Sequence, residues 1–310
     1  MQIKTIEDIQ VEDYQLVRFK EMGNISEIMY SDNYYSECSI VKLSKEAYLD
    51  KRDGEIKQFQ HTENRACNLK SISKSLGRLR DYLNTNITDV SKCRWVTLTY
   101  AENMTDTKRL YEDFKAFNKK LRRYLKVNYE YIVAMEPQGR GAWHAHMVMI
   151  FEDKAPFIPN EVMAEKWGNG FVTVKKLDDV DNVGAYLTAY LGDMDIEECN
   201  SKNMDLEDLM RLRNHTIKEV EFEEDGVKKT KKYIKGARLC MYPPQFNLYR
   251  CSKGIKKPNI SYMSEEMAQK KVSSAKLTYE KTIQLSDLDN DFSKTINYRY
   301  YNSVRKNNKE

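Results

Sequence analysis

The apolar and polar positions alternate most regularly in the middle of the chain. The segment Trp95–Tyr100 (WVTLTY) is β-branched and aromatic and predicts a strand. Thr105 or Asp106 is placed to cap a helix running to about Leu125, with Leu110, Phe114, Phe117, Leu121 and Leu125 on one stripe. Tyr129–Glu136 and Ala142–Phe151 read as strands joined by the turn Pro137–Gly141, hence as a hairpin. A short helix over Asn160–Trp167, a strand over Phe171–Lys175 and a helix over Asp181–Leu191, stopped by Gly192, complete the series. Upstream, Leu69, Ile72, Leu76, Leu79 and Leu83 predict a helix over Asn68–Leu83 whose other face carries Lys70, Lys74, Arg78 and Arg80.

The order β-α-β-β-α-β-α between Trp95 and Asp193 predicts an α+β fold, a mostly antiparallel central sheet with covering helices, similar to the ferredoxin-like arrangement. The flanks are less regular. The first 66 residues are polar and tyrosine-rich and give no clear period. Beyond Asp193, Glu197–Arg213 reads as helical, and Ser261–Glu310 as a helix followed by a polar tail. Three segments are expected: an N-terminal extension with the basic helix (1–90), the core (91–195) and a basic, helical C-terminal extension (196–310).

With 310 residues and 41% hydrophobic content, the chain can bury a sizeable core. The net charge of +4 says little about partners, but its distribution says more. Lys115, Lys119, Lys120, Arg122, Arg123 and Lys126 fall in the last half of one helix, where the helix dipole also favours cations. Gly226–Pro258 holds ten Lys or Arg residues and no acid, interleaved with Tyr233, Tyr242, Phe246 and Tyr249. Such a mixture suits phosphates and unpaired bases, and suits equally an exposed strand and loop with aromatics turned inward. Candidate DNA contacts are Arg140, Lys175, Lys176, Lys235, Arg238, Arg250 and Lys253. The six cysteines form no C-x-x-C pair and read as reduced thiols of a cytoplasmic protein. No run of 18 apolar residues is present, so no membrane partner is expected.

Two of the four histidines, His144 and His146, flank a single small residue on a predicted strand, so both imidazoles face one side. Glu136, at the end of the partner strand, is the best third ligand. A His-His-Glu set leaves positions for water and a phosphate oxygen and suits a divalent Lewis acid, Mn2+ or the abundant Mg2+. Alone, a His-x-His pair is more often two satisfied or exposed strand histidines. Tyr186 and Tyr190 lie four apart on a predicted helix and share a face. A tyrosine can attack a phosphodiester and become covalently attached. Among 21 tyrosines, however, this spacing carries meaning only alongside the histidines.

Together these segments resemble the HUH endonuclease superfamily, especially the rolling-circle replication initiators (Rep proteins) of Gram-positive plasmids, phages and integrative elements. Trp95–Tyr100 resembles the first motif, Trp143–His146 the His-hydrophobic-His motif and Tyr186–Tyr190 the nucleophile helix. The resemblance spans about a third of the chain. It implies a ferredoxin/RRM-like nuclease core, metal ligation by His144, His146 and Glu136, and Tyr186 as primary nucleophile, with Tyr190 as a second nucleophile or positioning group. It also implies nicking and rejoining of single-stranded or hairpin origin DNA, leaving a 5′-phosphotyrosine and a free 3′-hydroxyl. Many relatives carry a lysine beside the tyrosines. Here Leu187, Thr188 and Ala189 intervene, and Lys175 or Lys176 is left for that role. In the superfamily's conjugative relaxases the tyrosine precedes the histidines; here it follows them, as in initiators. No G-x-x-x-x-G-K-[ST] occurs, so unwinding falls to a host helicase or an extruded hairpin, and synthesis to a host polymerase. The alternatives are a non-catalytic DNA-binding copy-control protein and a transposase of the same chemistry.

Overall fold

From Arg94 on, the segment Cys93–Thr99 (β7) alternates buried and half-buried side chains, because successive residues of a strand face opposite sides of the sheet. In this computed structural model the described residues are 2–32, 40–59, 69–138, 141–177, 182–196, 217–224, 227–234, 238, 241–243, 246–287 and 292–305. They fall into two compact units, residues 64–257 and residues 1–63 with 258–310. This differs from the three segments expected from composition. The basic helix joins the central segment in one unit, and the chain's two ends combine in the other. No described helix is long and apolar enough to cross a membrane.

In the central unit, β7 is preceded by helix α1 (Leu69–Asn86) and followed by α2 (Thr107–Leu125), β8 (Tyr129–Pro137), β9 (Trp143–Phe151), α3 (Asn160–Trp167), β10 (Val172–Lys175) and α4 (Val183–Gly192). A short strand, β14 (Tyr249–Cys251), extends the sheet. The strand order is β10-β7-β9-β8-β14, every neighbour antiparallel. Thus β9 lies between β7 and β8, the two strands that α2 connects, which is the split βαβ arrangement of ferredoxin-like folds. The expected α+β architecture is present.

One sheet face packs Val96, Leu98, Val133, Met135, Ala145 and Met147 against Leu110, Phe114, Phe117 and Leu121 of α2. The other packs Ile132, Ala134 and Val148 against Leu79 and Leu83 of α1 and Leu187 and Leu191 of α4. Each fully buried Leu or Phe contributes about 1.5–3 kcal/mol. Because alternate residues serve opposite faces, a one-residue slip of β9 would drive its histidines into the α2 core, so register is strongly specified. Asp106 caps α2, accepting from the backbone N–H groups of Lys108 and Arg109. Arg122 and Arg123 stand in its last turn, at the negative end of the helix.

A second small sheet joins β11 (Met194–Asp195), β13 (Val227–Ile234) and β12 (Ile217–Glu224) in that order. Its register sets Glu219, Glu221 and Glu223 of β12 opposite Lys232, Thr230 and Lys228 of β13. Lys232 is met there by Glu219 at 2.9 Å. The helix expected over 197–213 lies outside the described residues.

The other unit is a sheet built from β1 (Gln2–Ile6), β2 (Leu16–Met22), β3 (Ile25–Ser31), β15 (Asn259–Ser264), β16 (Lys276–Asp287) and β17 (Phe292–Asn302), in the order β1-β16-β17-β3-β2-β15. Gly23 supplies the left-handed residue (φ 61°) in the tight β2–β3 turn. Helix α5 (Glu265–Val272) buries Ala268 and Val272 against Val17, Phe19 and Ile28. A small three-stranded sheet follows β3, with β4 (Ile40–Lys42), β5 (Ala47–Asp50) and β6 (Ile56–Gln58). The expected polar tail after α5 is instead the long hairpin β16–β17. Its buried positions include Thr282, Asn297 and Arg299, which are hydrogen-bonded or ion-paired and erase the apolar period of a strand.

Candidate functional site

The register of the central sheet determines which side chains meet. His144 on β9 stands opposite Thr99 on β7 and Glu136 on β8, and His146 opposite Thr97 and Ala134. His144, His146, Thr97 and Glu136 therefore share the face covered by α1 and α4. Ligand atoms of Glu136, His144 and His146 all lie within 4.8 Å of one another. The His146 Nε2 atom contacts Glu136 Oε2 directly. The other ring nitrogen, Nδ1, is 3.2 Å from Thr97 Oγ1, which also accepts from Trp95 Nε1 at 3.2 Å. With Nδ1 on the threonine hydroxyl, Nε2 is the nitrogen turned to the site, the arrangement that orients metal-ligating histidines.

Glu136 is only 8% exposed. Burial works to raise its carboxyl pKa, but His146, Arg238 and His144 beside it outweigh burial and hold it below the usual carboxylate range. An ionised carboxylate oxygen and two imidazoles in such proximity make a donor set that fits a divalent cation of the manganese or magnesium kind.

Tyr186 reaches the same site from α4. The helix begins at Asn182, whose side chain accepts from the Ala185 N–H at 2.8 Å. Asn182 is itself gripped by Asn84 of α1, which donates to its Oδ1 at 2.9 Å and accepts from the Gly184 N–H at 2.7 Å. Gly184 lets the helices touch: a Cβ there would lie 2.5 Å from the Arg80 carbonyl oxygen. So held, α4 presents Tyr186 to an open cleft of about 250 Å³ lined by Trp95, Thr97, Glu136, His146, Lys175, Lys176, Leu177 and Tyr186. The two lysines are exposed on its rim. Tyr190 lies one turn further along α4.

Arg140 and Lys235 lie outside the described residues. Arg250 pairs with Val133, so it belongs to the opposite sheet face, where its guanidinium stacks 3.5 Å from the centre of the Tyr111 ring of α2. Lys253 is exposed in the turn after β14 and does not line the cleft. Arg238, expected on a DNA-facing surface, is instead buried, 3.1 Å from Glu136 Oε1. A cation can be held so deep because a carboxylate and backbone carbonyls surround it. Thr97 and Asn84 were not singled out by sequence. The signal for Thr97 was its i+2 relation to Trp95 on a strand facing the histidines. Asn84 gave none, since its partner is about 100 residues away.

A family model described as replication-associated protein ORF2 matches residues 93–195. The matched segment runs from β7 to β11 and contains the histidines, Glu136 and the tyrosine helix, and it is similar to replication-associated proteins. No curated protein and no solved structure matches the chain.

Proposed function

We propose that the chain is a replication initiator that nicks and rejoins single-stranded origin DNA by tyrosine transesterification. The observation that carries this reading is the placement of Tyr186 on one cleft with Glu136 and His146, inside a segment similar to replication-associated proteins. His144, His146 and Glu136 would hold a divalent cation, Mn2+ or Mg2+. When bound there, such a cation would supply Lewis-acid activation of the scissile phosphate.

The protein's own groups do the rest. Lys175 and Lys176 on the rim attract and position the phosphate backbone. Trp95 offers a ring at the cleft edge for an unpaired base. The Tyr186 phenol loses its proton to solvent in the open cleft and its oxygen bonds to phosphorus. The bond from phosphorus to the 3′-oxygen breaks, and that oxygen takes a proton from solvent. The result is a 5′-phosphotyrosine and a free 3′-hydroxyl, which primes a host polymerase while a host helicase unwinds the template. Energy is kept in the phosphotyrosine bond, so attack by a 3′-hydroxyl reverses the step and rejoins the strand. Tyr190, one turn along α4, is the candidate for a second cleavage.

The test is a denaturation-resistant adduct between the full chain and end-labelled single-stranded DNA from its own replicon's origin, with Mn2+. The adduct should disappear with Tyr186→Phe, with His146→Ala and with chelator. Loss with Tyr190→Phe alone would reverse the assignment within the pair. Tight binding without adduct on every origin fragment would refute the nuclease and leave a DNA-binding protein.

A further inference from the structure

The metal-binding carboxylate and the tyrosine helix are joined by a side chain from outside the segment that resembles replication proteins. Arg238 is 7% exposed. Its Nε lies 3.1 Å from Glu136 Oε1 and donates to the Asp193 carbonyl at 3.1 Å, while Nη1 donates to the Pro137 carbonyl at 2.8 Å. Asp193 is the C-cap of α4, and Pro137 closes β8. The Tyr242 hydroxyl spans the same two elements, reaching the Met135 carbonyl at 2.9 Å and the Leu191 carbonyl at 3.3 Å.

These contacts divide the Glu136 carboxylate between two partners: Oε1 faces Arg238 and Oε2 faces His146. A glutamate at a strand end has three free torsions, and fixing one oxygen fixes the other. The carbonyls at the end of α4 are those a helix leaves unsatisfied, at its negative pole, where a cation is favoured. A guanidinium meets both demands at once because its delocalised charge can face Glu136 Oε1 while the Nε–H and Nη1 donors of the same rigid plane go to the Asp193 and Pro137 carbonyls. A surface cation recruited for phosphate would need neither contact.

We infer that Arg238 is a positioning residue that fixes Glu136 relative to the tyrosine helix, so that the metal-binding carboxylate and Tyr186 keep one spacing. The inference rests on the metal-assisted tyrosine reading above. It assigns to Arg238 a part in assembling the site rather than in contacting DNA.

The experiment compares the wild-type full chain with Arg238→Gln and Arg238→Lys. Calorimetry measures Mn2+ binding, and the adduct assay at saturating Mn2+ measures rate. In Arg238→Gln, Mn2+ should bind about 10- to 100-fold more weakly, as for other losses of a ligand's outer partner. Its rate at saturating Mn2+ should also fall, roughly 10-fold or more, because the helix is no longer indexed to the strand. Arg238→Lys restores a cation beside Glu136 but not the fork. It should recover Mn2+ affinity to within a few-fold and leave the saturated rate low. A purely structural arginine would lower the melting temperature of both variants without this split. Folded Arg238→Gln that binds Mn2+ and reacts as wild type does would overturn the inference alone. If Arg238→Gln does not fold, a wild-type saturated rate in Arg238→Lys overturns it instead. Wild-type protein that binds no Mn2+ would overturn the metal reading, and this inference with it.

Discussion

Replacing Gly184 by alanine sets two effects of opposite sign against each other. Alanine is the better helix former by about 1 kcal/mol, and Gly184 does not use the left-handed backbone region, so nothing local forbids it. The new Cβ, however, would lie 2.5 Å from the Arg80 carbonyl oxygen and 2.7 Å from Asn84 Oδ1. Ordinary contact begins near 3.4 Å, so the first overlap is about 0.9 Å. The atom opposite is helix backbone, which cannot rotate away, and relief requires α4 to move off α1. Overpacking of this kind costs about 1–3 kcal/mol. Separation also stretches the Gly184 N–H bond to Asn84, whose loss in a buried position costs about 1–3 kcal/mol more. The clash therefore wins, with a net loss of about 3 kcal/mol, or roughly 6–12 °C in melting temperature for a unit of this size. Tyr186, two residues along, moves with the helix. A displacement near 1 Å should slow adduct formation on the order of 100-fold. Calorimetry and the adduct assay on one preparation give both numbers. Gly184→Ala protein as stable as wild type and equally active would show that the two helices are not locked at this distance, and that Tyr186 is placed by something other than their contact.

Thr97→Val keeps the shape of the side chain but removes the oxygen that holds His146 Nδ1, so Mn2+ affinity should fall about 10-fold by titration calorimetry; an unchanged affinity would mean that the strand alone orients the ring. Changing Lys175 and Lys176 together to glutamine should lower the slope of log affinity for single-stranded DNA against log salt by about 1.4, and an unaltered slope would take both off the DNA path. Glu27 is buried, which raises its carboxyl pKa, but Lys20, Arg18 and the Tyr300 hydroxyl more than offset this and hold it below its usual 4.5. A lowered carboxylate contributes stability above the unfolded value that is lost as pH falls through the folded one. The terminal unit should thus weaken below about pH 4.5. Glu27→Gln should flatten that dependence and cost about 3 kcal/mol at neutral pH, where it strands two cations; equal acid sensitivity in denaturant melts of both proteins would contradict this.

The central sheet was legible because its residues obey one rule at a time. Val96 and Leu98 face one layer, Thr97 and Thr99 the other, and the period of two survives in the sequence. The histidines sit on that same period, so their convergence followed from spacing, and Glu136 followed from the hairpin that fixes its strand. The terminal unit was illegible for the opposite reason. Arg299 is buried on Glu265, Asn297 on Thr282, and Lys20 on Glu27, so polar residues occupy positions where an apolar one would have announced a strand. Arg238 was misplaced by the same logic. A lysine- and arginine-rich stretch reads as a surface, and sequence alone does not show that one of its cations has a buried carboxylate waiting about 100 residues earlier.

The terminal unit is woven from both ends of the chain: β3 pairs with β17 and β2 with β15, across the whole of the central unit. On a ribosome adding about 5–20 residues per second, β2 and β3 emerge on the order of ten seconds or more before either partner exists. A lone two-stranded hairpin is marginal in water and exposes two unpaired edges. The central unit, whose segments are contiguous, has that interval in which to form first. Chains truncated after Lys257 and released from the ribosome should therefore already resist protease within α1, α2 and β7 to β9 while β2 and β3 remain cleavable, so that the site can assemble before the second sheet pairs.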